Sequence, residues 1–337
     1  MYTLRDVAQK AGVSLTTASL VFNNKETQIR ISKKTKERIL SVIKELNYHP
    51  NIPARMMAKG RTSLIGLVML NIHSSFYPEI IEGIQSKMDK QDYSTILYNT
   101  KGNFQLERKY LEVLDYKQVD GIILNPTHYA SRNIEIVSKK RPLVSICFSL
   151  SSHRKIPSVV VDNFKGGYIA TKYLFSLGHK RIGYIGSLEP TSLDFFQRHR
   201  GYCTAINKES LKDYSFPLNE FGNNIEEQRL NFAKYYLNSS QKITALFAQH
   251  DRSAIYIMNA LQEKGIKVPE DVSIIGFDNL DICNFTNPSL TSINQPKFEI
   301  GEKAGELLLK MIDGEKVKSI ILEPTIIERG SCLSPKN

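Results

Sequence analysis

The chain has 337 residues, is 41% hydrophobic and carries a formal charge of +11, enough apolar content for a large core and enough length for more than one folding unit. Its longest apolar run, Leu64 to Leu70 with only Gly66 inside it, is far short of the roughly 20 residues of a membrane span, and "MYTLRD" holds no signal-peptide core, so a cytoplasmic protein is expected. Four scattered cysteines without C-x-x-C spacing, and seven histidines in no metal-binding pattern, lead to the expectation of no metal, no cofactor and no disulfide framework.

The charge is concentrated. Residues 1–61 hold 12 Lys and Arg against four Asp and Glu, a balance of +8, which leaves only +3 for the other 276 residues. A basic head on a nearly neutral body points to an acidic polymer bound at one end, although a solvated basic face has the same composition.

In chain order, Thr3 with Asp6 three residues on predicts a helix start, and Leu4, Val7, Ala8 and Ala11 form one apolar stripe. Gly12 ends that helix. Ser14 is placed to cap a second, Leu15 to Phe22, in which Ala18 and Val21 face inward; Asn23 and Asn24 stop it. Ser32 is placed to cap a third, with Ile39, Val42, Ile43 and Leu46 on its apolar face and Lys33, Lys34, Lys36 and Arg38 on its basic one. A helix, a tight turn and a second helix with small polar side chains at its start suit insertion into the major groove. Ser14 and Thr17, with the free N–H groups at that helix start, are phosphate candidates. On helix pattern alone, the alternative is a helical hairpin that binds nothing. Residues 47–63, "NYHPNIPARMMAKGRTS", read as a hinge with one helical turn beginning at Pro53, and the adjacent Met56 and Met57 are unusual for a flexible spacer.

From Ser63 onward, strand-like and helical patterns alternate. "SLIGLVML", Tyr77 to Lys90, "TILYN", Leu106 to Tyr116, "DGIILNP" and "RPLVSICF" form one series. "SVVVDN", Gly166 to Leu177, "KRIGYIG", a helix through Arg198 and Tyr202, "ITALFAQ", Arg252 to Lys264 and "DVSIIGFDN" form a second. Near the end, "SLTSINQP", an amphipathic helix from Phe298 to Ile312 and "SIILEPTIIER" are expected to recross between two similar halves. The fold class is therefore an all-α helix-turn-helix head followed by a two-lobed α/β body of parallel sheets flanked by helices, with a ligand cleft outside the carboxyl ends of the strands.

"TLRDVAQKAGVSLTTASLVFN" followed by "IKELNYHPNIPARMMAKG" resembles the head and hinge of the lactose repressor and galactose repressor (LacI/GalR) family of bacterial transcriptional regulators, and the similarity runs the length of the chain. The resemblance implies a DNA-binding head over 1–47, a hinge helix and linker over 48–62, and an effector-binding, dimerising body over 63–337. It implies base-reading positions at Leu15, Thr16 and Leu20, with Asn23 at the end of the same helix, Arg55 close to the minor groove, and Met57 at the place of the apolar wedge, usually a leucine, that parts the central base step. Leu20 departs from the Arg or His found in many members and offers only apolar contact, so the operator sequence does not carry over.

The same resemblance nominates cleft residues, since the family's body is similar to periplasmic sugar-binding proteins. Phe76 and Tyr77 stand where relatives stack a side chain on a ring-shaped ligand, though core packing accounts for them equally. Arg198 matches an arginine that grips hydroxyls or a carboxylate, and Asp278 an acid that accepts from them. Phe148 and Asp162 fall at cleft or lobe-crossing positions, although an Asp after a strand is as often a helix cap. His250 replaces an Asn common in sugar-binding members, and either alters the pocket or merely bonds backbone. The implied function is a regulator, expected to be a repressor, acting as a homodimer on a pseudo-palindromic operator and controlled by a sugar or sugar phosphate. The alternatives are the same regulator sensing a purine-type or other metabolite, and a sugar-binding receptor without DNA function. The common signatures of dinucleotide, nucleotide, zinc-protease and hydrolase sites are missing, so no enzyme is expected. "ERGSCLSPKN" has no leucine-repeat tail, so a dimer is expected and not a tetramer.

Overall fold

A computed structural model describes residues 2–22, 31–48, 60–127, 132–150, 156–189, 193–222 and 224–336. The chain divides into two compact units, residues 1–63 and 64–337.

The first unit is built from α1 (Leu4–Lys10), α2 (Leu15–Phe22) and α3 (Lys33–Glu45). All three expected caps form. Thr3 and Asp6 make a reciprocal capping box, Thr17 N–H donates to Ser14 Oγ at 3.1 Å, and Thr35 N–H donates to Ser32 Oγ at 3.1 Å. Each cap satisfies a backbone donor that the first helical turn leaves without a partner. Val7, Ala11, Val21, Ile39 and Val42 close one small core, with Leu4, Ile43 and Leu46 packed at its margin.

Among the described residues, the second unit holds two six-stranded sheets, each with strand order typical of doubly wound folds. The first contains β1 (Leu64–Met69), β2 (Ser94–Asn99), β3 (Gly121–Leu124), β4 (Leu143–Ile146), β5 (Ser158–Val161) and β11 (Ile320–Leu322), in the order β11-β5-β4-β3-β1-β2, all pairs parallel. The second contains β6 (Ile182–Gly186), β7 (Tyr214–Pro217), β8 (Ala245–Ala248), β9 (Ser273–Asp278), β10 (Thr291–Asn294) and β12 (Thr325–Ile327), in the order β12-β10-β9-β8-β6-β7, with only β12 antiparallel. Interleaved helices are α4 (Tyr77–Asp89), α5 (Phe104–Tyr116), α6 (Arg132–Ser138), α7 (Asn163–Ser176), α8 (Leu193–Lys208), α9 (Ile225–Asn238), α10 (Asp251–Glu263) and α11 (Lys297–Ile312). The central strands β3, β4 and β8 are buried along their whole length, as strands covered by helices on both faces must be.

The chain passes between the sheets three times: after β5, after β10, and between β11 and β12. The reading of "SIILEPTIIER" as one strand-like stretch resolves into two short strands, parted at Glu323 and Pro324, that belong to different sheets. The α6 helix, β7 and α9 carry patterns too weak to be legible in the sequence. Helix α7 begins three residues earlier than its apolar pattern suggests, because the Asp162 side chain accepts from Lys165 N–H at 2.8 Å and fixes the start there.

Each lobe uses the same device to bring two helices together. Added Cβ atoms at Gly83 and Gly301 would run into the Phe298 and Ile80 carbonyl oxygens where α4 and α11 cross, and at Gly167 and Gly201 into the Arg198 and Phe164 carbonyl oxygens where α7 and α8 cross. Only glycine allows backbones this close.

Candidate functional site

The carboxyl ends of both sheets face a cavity of about 170 Å³ lined by Ser74, Phe76, Tyr77, Cys147, Phe148, Asp194, Phe195, Arg198, His250, Asp278 and Gln295. The first lobe supplies the loop after β1, the start of α4 and the two residues after β4. The second supplies the first turns of α8, the start of α10, the last residue of β9, and Gln295 at the second crossing. This volume lies below the ~300–1,000 Å³ of drug-sized sites, so it suits a small ligand.

Arg198 is the centre of its polar wall. It is only 4% exposed, and its Nε donates to Asn163 Oδ1 at 2.8 Å while Nη1 donates to the Gln249 carbonyl oxygen. The guanidinium carbon lies 3.6 Å from the Phe277 ring centre and 5.1 Å from that of Phe195, within cation–π range of both. Its Nη1 is 3.6 Å from Asp278 Oδ1. That same carboxylate oxygen accepts from Gln295 Nε2 at 2.7 Å, and Lys297 Nζ donates to the backbone oxygens of Asp278 and Asn279, each at 3.0 Å. Asp278 has φ 115° and Cys147 φ 62°, left-handed conformations that cost a non-glycine residue about 1–3 kcal/mol and recur at binding sites.

Burial sets the protonation of this wall. It raises the Asp194 carboxyl to about 7, against the pull of Arg198. It also raises Asp278, opposed by Arg198 and by the Gln295 hydrogen bond, and it raises the Tyr77 phenol and the Cys147 thiol so that both stay neutral. It lowers His250 to about 4, with Arg198 adding to the effect. The neutral His250 ring accepts at Nδ1 from Ser253 N–H at 3.0 Å and so caps α10. Its ring is 6.0 Å from that of Phe195. The buried Asp251 beside it accepts from Leu280 N–H at 2.8 Å and from Ser292 Oγ, and fixes the turn after β9.

Of the seven cleft candidates, the fold brings six together: Phe76, Tyr77, Phe148, Arg198, His250 and Asp278. Asp162 is not among the lining residues. Its carboxylate caps α7 and its N–H donates to the Leu322 oxygen at 3.0 Å, so it ties the first and third crossings. Sequence reasoning passed over Ser74, Asp194, Phe195 and Gln295. Asp194 and Phe195 stand four and three residues before Arg198 on one helix, a spacing that puts all three on one face. Gln295 has no comparable local signal.

In the first unit, Leu15 and Thr16 are exposed at the start of α2, Leu20 is half-buried, and Ser14 Oγ lies 2.8 Å from Thr17 Oγ1. Lys33, Lys34 and Arg38 are exposed on α3. Asn23, Arg55 and Met57 lie outside the described residues. No helix among the described residues is long and apolar enough to cross a membrane.

Comparison with known proteins matches residues 3–51 to bacterial regulatory proteins of the lacI family and residues 171–332 to a periplasmic binding protein-like domain. The chain is 32% identical to an HTH-type transcriptional repressor PurR of Vibrio atlanticus, over 98% of both chains. It is similar to the crystal structure of a LacI family transcriptional regulator from Enterococcus faecium with bound ribose, at 30% identity and a TM-score of 0.71, covering 81% of this chain and 100% of that one. The lac repressor dimer bound to operator and the anti-inducer ONPF shares the fold at a TM-score of 0.80 and 24% identity, covering 98% and 99% of the two chains.

Proposed function

We propose, from the premise that this chain belongs to the lacI family of bacterial regulatory proteins and is a transcriptional regulator with an effector-binding body, that its effector is a neutral polyhydroxylated ring of monosaccharide size. The observation that carries this reading is the convergence of the Arg198 and Asp278 pair with Phe76, Phe148 and Phe195 on one cavity of about 170 Å³. A guanidinium beside a carboxylate supplies both a donor and an acceptor to adjacent hydroxyls, while the aromatic faces cover the ring's C–H surface. The ribose held by the Enterococcus faecium relative is of this class. A site that binds and releases such a ligand needs no catalytic group, and we read the protein as a cytoplasmic regulator and not an enzyme.

In the first unit, the exposed Leu15 and Thr16 are candidates to meet base edges, with Leu20 on the same helix and Ser14 and Thr17 as phosphate contacts. By family resemblance Asn23, Arg55 and Met57 complete the contact surface. A homodimer presents two such heads to a pseudo-palindromic operator, as the lac repressor dimer bound to operator does. The effector acts through its differential affinity for two lobe arrangements of the body.

Thermal melting of the full chain against D-ribose, D-xylulose, hexoses, cellobiose and hypoxanthine tests the effector class, because a ligand that binds only the folded state raises the melting point. A rise with a pentose or hexose, abolished in Arg198→Ala, is expected. A rise with hypoxanthine alone, or with no sugar of this panel, overturns the assignment.

A further inference from the structure

Away from the effector cavity, α8 and β7 bring three metal-ligating side chains together. His199 and Cys203 are four residues apart on α8, which places them on one helix face. Asp213 arrives from the loop before β7. Cys203 Sγ is 3.2 Å from His199 Nε2 and 4.0 Å from Asp213 Oδ2. One Nε2, one Sγ and one carboxylate oxygen all lie within 4.8 Å of one another. The ring of His199 is steadied by Tyr184 at 5.1 Å and Tyr202 at 6.1 Å between centroids. Ser215 Oγ donates to Asp213 Oδ1 at 2.6 Å, which leaves Oδ2 toward the sulfur, and the same hydroxyl is 2.8 Å from His199 Nε2.

We propose that His199, Cys203 and Asp213 form a binding site for one thiophilic divalent transition-metal ion of the zinc class. Zinc bonds of about 2.3 Å to sulfur and 2.0–2.2 Å to nitrogen and oxygen, in a tetrahedron, set ligand-to-ligand separations of roughly 3.6 Å. The two separations involving sulfur differ from that by less than half an ångström, within the reach of side-chain rotation. Imidazole with thiolate selects zinc-class ions over magnesium or calcium, which take all-oxygen shells. Cys203 and His199 are half-buried while Asp213 is exposed, so an ion has a route in from solvent and a fourth position open to water. Ser215 supplies the outer contact that orients a ligating carboxylate. On binding, the thiol proton leaves to solvent because the ion takes the thiolate, and the His199 proton that faces Ser215 Oγ moves from Nε2 to Nδ1 through solvent, which frees the Nε2 lone pair for the ion. The ion would pin α8 to the edge strand of the second sheet, one residue from Arg198. Sequence reasoning found no metal pattern because the third ligand comes from a loop ten residues beyond Cys203 and only the β6–β7 pairing brings it back.

The test uses the full chain, stripped with a chelator and kept reduced, titrated with Zn²⁺ by calorimetry and with Co²⁺ by absorption spectroscopy. One ion per chain is expected, with a near-ultraviolet thiolate-to-cobalt charge-transfer band and tetrahedral visible bands. Cys203→Ala abolishes the charge-transfer band while the other three cysteines remain, and His199→Gln and Asp213→Asn each weaken binding at least tenfold. Far-UV circular dichroism identifies any variant that fails to fold, and Ser215→Ala, which removes no ligand, then serves as the reading, with weakened but stoichiometric binding expected. A band that persists in Cys203→Ala, or no stoichiometric Zn²⁺ binding at micromolar concentration, reduces the cluster to a hydrogen-bonded network and overturns the proposal.

Discussion

Arg198 Nη1 lies 3.6 Å from Asp278 Oδ1, and both side chains are enclosed in the same cavity wall. The pair is not a closed fork: Nε and Nη1 of the arginine are committed to Asn163 and Gln249, and the facing carboxylate oxygen is shared with Gln295. Each partner is thus held mainly by groups other than the opposite one.

Replacing Arg198 by Ala is expected to weaken effector binding at least 100-fold and to destabilise the fold by about 2–4 kcal/mol, since it strands Asp278 and two buried acceptors. Arg198→Lys keeps the charge but not the planar fork, and is expected to recover stability more than affinity. Calorimetry and chemical denaturation separate the two effects. Affinity in Arg198→Ala within threefold of the parent would place the effector elsewhere.

Two cavity groups give opposite contributions to the pH dependence of stability. Asp194 is raised in the folded chain from 3.8 to about 7, so its contribution is fully present below pH 3.8 and is lost as pH rises toward 7. His250 is lowered from 6.5 to about 4, so its contribution is present above pH 6.5 and is lost as pH falls toward 4. Each amounts to up to one proton, about 1.4 kcal/mol per pH unit across its window. Relative to the parent, Asp194→Asn should therefore gain stability with rising pH between 4 and 7, whereas His250→Asn should lose stability relative to the parent as pH rises from 4 to 6.5. Denaturation midpoints at several pH values check both signs; parallel profiles would remove the assigned shifts.

His250 also serves as the cap of α10. At neutral pH, His250→Ala should cost about 1 kcal/mol and His250→Asn no more than a few tenths, because asparagine is among the best N-cap residues. Equal losses in urea denaturation would show that the ring matters for packing and not for the cap.

Gly167 sits where α7 meets the Arg198 carbonyl oxygen. Gly167→Ala should cost about 1–3 kcal/mol and displace α8, so effector affinity should fall together with stability. A variant that loses stability but keeps affinity would mean that α7 yields and α8 does not.

The sequence by itself determined most of the local structure, α6, β7, α9 and the start of α7 excepted. Hydroxyl caps at Thr3, Ser14 and Ser32 marked helix starts because a short oxygen side chain satisfies the backbone within its own turn, and the alternation of apolar runs marked two mostly parallel sheets because central strands covered on both faces must be apolar throughout. Six of the residues that resemblance nominates line one cavity, at or just beyond the carboxyl ends of strands or in the first turns of helices. Only the tertiary structure decided how residues of similar local character divide between roles. Asp162 and Asp278 both end strands, yet one caps a helix at a lobe crossing and the other faces Arg198, since the direction of the chain after each strand decides where the carboxylate points. Gln295 and the grouping of His199 and Cys203 with Asp213 were likewise illegible, because each depends on contacts between elements distant along the chain; Asp194 had only its helical spacing to Arg198 to mark it.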